Sequence, residues 1–252
     1  MINPPAKILV FDIETAPVLA YVWGLKDQNV AVSQIHRDWY VIAWAAKWYG
    51  SNEVIYRDQR NAKNIENDKK ILQDLWKLLD EADIVITQNG KHFDTPKLNA
   101  RFMEHGMKPP SPYKHLDTYQ IARSAAKFTS NKLEYLTEKL CTKYKKLKHE
   151  KFPGFSLWAE CLKGNLKAWN EMRRYNKHDV LATEELYTKI RAWAPDNAPR
   201  AFNVNHLMQQ CPRCGALGTL RPKGYTFTRV SKFRKYVCKG CGSWTNGIRE
   251  AI

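Results

Sequence analysis

The chain has 252 residues, of which 44% are hydrophobic, and this length suits one domain of ordinary size with a small extra module. The net charge of +16, from 41 lysine and arginine residues against 25 acidic ones, favours a polyanionic partner, most simply a nucleic acid. No apolar run approaches the ~20 residues of a membrane-spanning helix, and residues 1–5 do not begin a secretory signal. We therefore expect a cytoplasmic protein (in the host cytoplasm if a phage encodes it) with no membrane partner.

Strands and helices alternate along the first three quarters of the chain, which is typical of an α/β domain. Strands are predicted at 8–10, 39–48, 53–56, 84–87 and 115–117, with a loop-rich segment at 18–38. Helices are predicted at 61–82, from Asp94 to about His105, from Thr118, at 131–141, and at 166–193 with one interruption.

An acidic pair, Asp12 and Glu14, follows the apolar run at 8–10, which is typical of a short buried strand. Residues two apart on a strand project from the same face, so the two carboxylates lie side by side and their odd-numbered neighbours face the other way. Adjacent carboxylates repel each other when partly buried, and a divalent cation offsets that repulsion. A solvent-exposed acidic pair at a strand end is the alternative.

Two later carboxylates are candidates to complete such a site. Asp94 begins a predicted helix, where the helix dipole stabilises a negative charge, so a plain helix cap is the alternative. Tyr175 and Asp179 are four residues apart on a predicted helix and share one face, so the tyrosine hydroxyl can orient a water molecule beside the carboxylate. A surface tyrosine with an ordinary helical neighbour is the alternative for this pair.

The order of these motifs is specific. The strand Asp-x-Glu at 12–14, the Asn-x-x-x-Phe-Asp at 89–94 and the late helical Tyr-x-x-x-Asp at 175–179 together resemble the DnaQ-like 3′–5′ exonucleases, which have an RNase H-like mixed β-sheet flanked by helices. The tyrosine resembles the form found in proofreading exonuclease domains of DNA polymerases, whereas Arg174 stands where the other branch of the family has histidine. The resemblance covers roughly residues 7–193.

The resemblance implies a catalytic role for five side chains. Four carboxylates would bind two Mg²⁺ or Mn²⁺ ions, and the tyrosine would orient the attacking water. This agrees with the chemistry, because two such ions can clamp the attacking and leaving oxygens of an in-line displacement, and hard oxygen ligands suit them. The expected residues are Asp12, Glu14, Asp94, Asp179 and Tyr175.

Substrate contacts are expected from two further groups of residues. By the same resemblance, Thr15, Asn89 and Phe93 would lie at the terminal nucleotide, and the alternative for Phe93 is a place behind the metal site without stacking on a base. A basic stretch at 143–152, interleaved with aromatic residues, predicts nucleic-acid contacts through Lys145 and Lys146, although an ordinary solvated surface would look the same. Three nearby groups are given structural roles instead: Asp117 near the sheet, His178 beside the last carboxylate, and the cysteines at 141 and 161 in the core.

The remaining four of the six cysteines form two Cys-x-x-Cys pairs with 23 residues between them. This spacing is a strong four-thiolate zinc signature. It resembles a zinc ribbon, with short strands at 219–221, 226–230 and 235–237 and one structural Zn²⁺; an iron–sulfur cluster is the less favoured alternative. The expected ligands are Cys211, Cys214, Cys238 and Cys241.

Half of the net charge belongs to this C-terminal part. Residues 201–252 hold nine lysine or arginine residues and one acidic residue, a net charge of +8. Cations interleaved with aromatic rings suit single-stranded nucleic acid, and Lys232, Arg234 and Lys235 are the expected contacts. The alternative is that the rings only build the small core of the ribbon.

We therefore expect an exonuclease domain at 1–195, a linker at 196–206 and a nucleic-acid-binding zinc ribbon at 207–252. The expected activity is 3′–5′ hydrolysis of single-stranded DNA to 5′-mononucleotides. Any role in DNA replication or repair would require a replication partner in trans, since we recognise no polymerase domain in the chain. RNA trimming is the main alternative, and an inactive nucleic-acid-binding factor is the third.

Overall fold

A five-stranded mixed sheet with the strand order β5-β4-β1-β6-β7 forms the centre of the fold, in a computed structural model that describes residues 6–145, 147, 151–194, 211–227 and 231–250. Strand β1 lies antiparallel to β4 and parallel to β6, and a small separate sheet pairs β2 with β3. The strands of this part are β1 (Ile8–Thr15), β2 (Leu19–Ala20), β3 (Ile35–Arg37), β4 (Val41–Trp48), β5 (Ile55–Asp58), β6 (Ile84–Thr87) and β7 (Lys114–Asp117).

Helices cover both faces of this sheet, which is why β4 and β6 are almost completely buried. One face of β1, with Leu9, Phe11 and Ile13, packs against α1 and α2. The other face packs against α3, α4 and α6 through Val10. The helices are α1 (Lys69–Glu81), α2 (Asp94–Glu104), α3 (Thr118–Ala125), α4 (Leu133–Leu140), α5 (Ser156–Leu162) and α6 (Leu166–Ile190), with 3₁₀ turns at Val32–Gln34 and Arg191–Trp193.

The helix predicted from residue 61 begins only at Lys69, so the predicted start is wrong by eight residues. The side chains of Asn64 and Asn67 accept hydrogen bonds from the backbone N–H groups of Glu66 and Lys69, at 3.0 and 3.3 Å. Such local side-chain bonds offer the backbone an alternative to helix.

The interruption predicted within 166–193 is also absent, because α6 runs for 25 residues before the 3₁₀ turn. Its length lets one helix cross the sheet and contact β4, β1 and β6. The helix α5 was not predicted, and the segment predicted as loop-rich contains the short pair β2 and β3.

Cys141 and Cys161 are buried, as the core assignment requires. Burial raises the pKa of these thiols to about 11 and about 12. Both sulfurs therefore stay protonated at neutral pH and are poor nucleophiles.

A second, three-stranded antiparallel sheet of order β10-β9-β8 forms the C-terminal module. Its strands are β8 (Leu220–Phe227), β9 (Lys232–Cys238) and β10 (Trp244–Glu250). The predicted linker at 196–206 and the predicted strand end at 228–230 lie outside the described residues. No helix in the described ranges combines the length and apolar character that crossing a bilayer requires.

Candidate active site

The two carboxylates of β1 lie where the neighbouring strand carries only small side chains. Asp12 is opposite Ala45 and Glu14 is opposite Ala43 in the antiparallel pairing with β4. Directly opposite residues share a face of the sheet, so the alanines leave room for α6 to approach the acidic pair. The prediction that Asp12 and Glu14 share one face agrees with this arrangement, since Phe11 and Ile13 are buried on the other face.

Asp94 is the first residue of α2 and is 2% exposed. Its Oδ1 accepts a hydrogen bond of 3.0 Å from the backbone N–H of Ile13, the residue between Asp12 and Glu14. Burial raises the pKa of Asp94 to about 7. Hydrogen bonds from two backbone N–H groups act in the opposite direction but do not cancel the effect of burial. Asp94 therefore both stands at a helix start and reaches the middle of the acidic pair.

Tyr175 and Asp179 come from the face of α6 that is turned towards β1, and both are buried. Burial raises the pKa of the Tyr175 hydroxyl above its ordinary value, and the charges of Asp179, Glu14 and Asp12 raise it further. The phenol thus stays protonated and lies among three of the four predicted carboxylates. The indole of Trp158 meets the Tyr175 ring edge to face, with 6.1 Å between centroids.

The donor set consists of hard carboxylate oxygens, which suit divalent cations. Asp94 and Asp179 are buried and Asp12 and Glu14 are half-buried, and grouping several like charges away from water is costly without a counter-ion. No three of these carboxylates bring oxygens within 4.8 Å of one another, since among the described residues only a cysteine group meets that condition.

Two residues that the sequence analysis missed hold the β1 carboxylates. Asn176 donates from Nδ2 to Asp12 Oδ2 at 2.6 Å, and Trp158 donates from Nε1 to Glu14 Oε2 at 3.1 Å. Asn176 lies three residues before Asp179, so helical spacing could have placed it on the site face. Trp158 lies on the unpredicted helix α5, and no sequence signal pointed to it.

A cleft of about 650 Å³ opens beside Asp12 and Asp179. Gln88 and Asn89 line it from the end of β6, together with Tyr119 and residues 129–134. The cleft is wide enough to admit a nucleotide to the acidic groups.

The turn that carries Asn89 is fixed by Asp117. The Asp117 carboxylate accepts hydrogen bonds from the backbone N–H groups of Asn89, Lys91 and Tyr119, at 2.8, 3.1 and 3.0 Å. Asn89 has a φ of +63°, a left-handed conformation that asparagine tolerates better than most residues. These contacts agree with the structural role expected for Asp117.

The other predicted substrate contacts lie around the rim. Thr15 follows a register shift at the end of β1, and Phe93 is 40% exposed just before Asp94. The Lys97 ammonium lies 5.3 Å from the Phe93 ring centroid and 3.6 Å from that of Trp39. Neither Lys97 nor Trp39 was predicted to lie here.

Lys145, near the start of the basic stretch, contacts an acid and a histidine. Its Nζ is 2.9 Å from Glu138, and its carbonyl oxygen is hydrogen-bonded to the His178 ring. His178 also meets the Tyr144 ring edge to face, which is consistent with the neighbouring role expected for it. Lys146 lies outside the described residues.

The four ribbon cysteines form a second candidate metal centre, with all four sulfurs within 4.8 Å of one another. Burial raises the pKa of Cys238, yet hydrogen bonds from the Thr219 hydroxyl and from two backbone N–H groups outweigh it and lower the pKa to about 6. Donors that stabilise a thiolate favour metal binding. Four sulfur ligands suit Zn²⁺ in a closed structural site. The four are Cys211, Cys214, Cys238 and Cys241.

Comparisons with known proteins agree with this architecture. The model of the RNase H superfamily matches residues 9–191. No curated protein is similar enough in sequence to match the chain.

One similar solved structure is the family B DNA polymerase from the hyperthermophilic archaeon Pyrobaculum calidifontis, with 15% sequence identity and a TM-score of 0.52. The match covers 75% of this chain and 25% of the polymerase, so the chain spans about a quarter of that protein's length. At this identity the likeness concerns the fold. Because the family match extends over most of the chain and includes β1, α2 and α6, the protein belongs to the RNase H superfamily.

Proposed function

We propose that this protein is a metal-dependent 3′–5′ exonuclease that removes 5′-mononucleotides from the 3′ end of single-stranded DNA. The observation that carries the proposal is the approach of four carboxylates to one another: Asp12 and Asp179 line one cleft, Glu14 lies with them near the Tyr175 hydroxyl, and Asp94 accepts from the backbone N–H between Asp12 and Glu14. An RNase H superfamily fold and a net charge of +16 support a nucleic-acid substrate.

The four carboxylates would hold two Mg²⁺ or Mn²⁺ ions, which when bound activate a water and stabilise the leaving oxygen. Tyr175 holds its proton at neutral pH, so it orients the attacking water by hydrogen bonding and does not act as a base. Asn176 and Trp158 keep the β1 carboxylates in fixed directions.

The rim residues would bind the end of the strand. Asn89 lines the cleft beside Asp12 and Asp179, which suits contact with the last nucleotide. Phe93 is half exposed and offers its ring to a base. Lys97, beside that ring, offers its ammonium to a phosphate. Thr15, at the end of β1, is the nearest hydroxyl in sequence to Glu14.

The test is digestion of matched DNA and RNA single strands, labelled at the 3′ or the 5′ end, with Mg²⁺ or Mn²⁺. A 3′–5′ exonuclease releases the 3′ label first as a mononucleotide, while the 5′-labelled strand shortens stepwise. Internal cuts would contradict the exonuclease assignment. Faster digestion of the RNA strand would favour the alternative, an exoribonuclease.

Site variants connect the activity to this cleft. We expect Asp12→Asn to abolish hydrolysis and Tyr175→Phe to slow it about 100-fold, a size typical of losing one hydrogen-bond donor that acts on the reacting groups. Glu53→Gln, which changes an exposed acid before β5, is the matched control and should cleave at the normal rate. Normal hydrolysis by Asp12→Asn would refute the metal site.

A further inference from the structure

The sheet of the C-terminal module places its cations on two opposite faces. In an antiparallel sheet, opposite residues share a face and neighbours along a strand alternate. Arg234 pairs with Tyr225, whereas the neighbouring Lys235 pairs with Asn246, two residues after Trp244. The expected contacts Lys232, Arg234 and Lys235 therefore do not form one surface, because Lys235 lies on the face opposite the other two.

On the first face, which we term the Tyr225 face, the ring is already occupied. The Lys232 ammonium lies 4.0 Å from the Tyr225 ring centroid, and the Arg234 guanidinium lies 4.9 Å from it. Arg234 also donates from Nη2 to the Tyr225 hydroxyl at 2.5 Å. A base that stacked on this ring would have to displace these cations.

On the second face, which we term the Trp244 face, the ring is about half exposed. Trp244 is 47% exposed, and the ammonium groups of Lys223 and Lys235 lie 5.6 and 5.5 Å from its ring centroid. Both cations lie farther from the indole than Lys232 and Arg234 lie from the Tyr225 ring, so a base has to displace less to stack on Trp244. Glu250 is the one acid in the sequence of residues 207–252, so little negative charge competes for these cations.

We propose that Trp244, Lys223 and Lys235 form a binding site for an unpaired nucleotide, with the base stacked on the indole and the adjoining phosphates on the two ammonium groups. Stacking needs a base free of its partner strand, so the site selects single-stranded nucleic acid. The inference rests on the proposed nucleic-acid substrate, and it assigns the contacts to the Trp244 face of the module.

The test measures binding of a fluorescent DNA single strand by the full-length chain carrying Asp12→Asn, which prevents digestion. We expect Trp244→Ala to weaken binding at least about 10-fold, a size typical of one lost base stack. Trp244→Phe should recover part of the loss, because phenylalanine still offers a ring. Tyr225→Ala is the matched control on the opposite face and should bind normally.

Salt titrations separate the cations of the two faces. Replacing Lys223 and Lys235 together by alanine should reduce the slope of log affinity against log salt by about 1.4, or about 0.7 for each single-strand phosphate contact. Replacing Lys232 and Arg234 together should leave the slope unchanged. The metal content of each variant shows whether the module is still folded.

Unchanged affinity in Trp244→Ala, or a loss confined to the Tyr225 face variants, would overturn the inference. Hydrolysis of a dinucleotide by chains with intact Asp12 separates this outcome from failure of the proposed function. If Trp244→Ala binds and cleaves normally, only the inference is wrong. If the unmodified chain does not cleave at all, the proposed exonuclease activity is wrong.

Discussion

Asp12 is held by a neighbour that has no charge of its own. The Asn176 carboxamide is completely buried and donates to Asp12 Oδ2 and, at 3.4 Å, to the Asp12 backbone carbonyl. A half-buried carboxylate with one oxygen held in this way presents its other oxygen in a defined direction. Groups that orient ligands in this manner influence metal affinity as well as activity.

We predict that Asn176→Ala lowers the hydrolysis rate about 10- to 100-fold, because Asp12 loses its orienting donor. The rate should be measured with increasing Mn²⁺, since weakened metal binding is partly recovered at high metal concentration. Lys177→Ala, the next residue along α6, serves as control and should keep the normal rate. An unchanged rate in Asn176→Ala would remove Asn176 from the site.

His115 lies at the start of β7 with its Nε2 2.7 Å from the Thr87 hydroxyl. Burial lowers its pKa from the ordinary 6.5 to about 4. The unfolded chain therefore binds a proton between these pH values that the folded chain does not bind. Neutral His115 contributes fully to stability above pH 6.5, and this contribution is lost as the pH falls towards 4.

We predict that His115 lowers the free energy of unfolding, measured with urea, by up to about 3 kcal/mol as the pH is lowered from 7 to 4. The reason is that each tenfold difference in proton affinity between the folded and unfolded chains corresponds to about 1.4 kcal/mol. His115→Gln, which does not titrate, should show a correspondingly smaller fall over the same range. Equal falls in the two proteins would contradict the prediction.

At the scale of elements, the turn between β6 and α2 connects sheet and site. It holds Asn89 at the cleft and leads to Asp94 at the start of α2. A Cβ atom on Gly90 would lie 2.4 Å from the Thr87 hydroxyl oxygen and 2.5 Å from its Cβ. Only glycine therefore fits at this position without a shift of the turn.

We predict that Gly90→Ala destabilises the fold by about 1–3 kcal/mol, the range for overpacking, and also slows hydrolysis because Asn89 and Asp94 move. Thermal unfolding and the rate on a DNA single strand measure the two effects. Gly106→Ala is the matched control.

Gly106 ends α2 with a φ of +64° and has open space around it. An alanine there should cost about 1–2 kcal/mol of backbone strain and leave the rate of the folded enzyme unchanged.

Normal activity in Gly90→Ala would show that the turn does not position the site.

At the scale of the whole molecule, the catalytic part and the basic module have separate cores. The three buried apolar clusters contain only residues before 195, whereas the C-terminal module depends on its four cysteines. Half of the net charge, +8, lies in residues 201–252. We therefore expect the proposed catalysis and a large share of strand affinity to be separable.

We predict that deletion of residues 201–252 weakens binding of a DNA single strand and lowers the salt slope by about 1–3, through lost phosphate contacts. The rate on a dinucleotide, which is too short to reach a second site, should remain near normal. An unaltered salt slope would indicate that the module docks a protein and does not bind the strand.

The sequence by itself determined the class of fold and, along the chain, the positions of the five strands of the large sheet, because apolar runs and turn residues are local signals. It also identified four cysteines whose spacing brings their sulfurs together, as the structure shows. Helix limits were less predictable: α1 begins late because Asn64 and Asn67 form local turns, and α6 continues without interruption.

Only the tertiary structure decided which groups surround the candidate site. Asn176 and Trp158 reach β1 across 164 and 144 positions of sequence, a distance at which no local pattern carries information. The division of Lys232 and Lys235 between two faces could have been anticipated from strand alternation. Which face exposes an aromatic ring depended on packing: Lys232 and Arg234 lie 4.0 and 4.9 Å from the Tyr225 ring centroid, whereas Lys223 and Lys235 lie 5.6 and 5.5 Å from that of Trp244, which is 47% exposed.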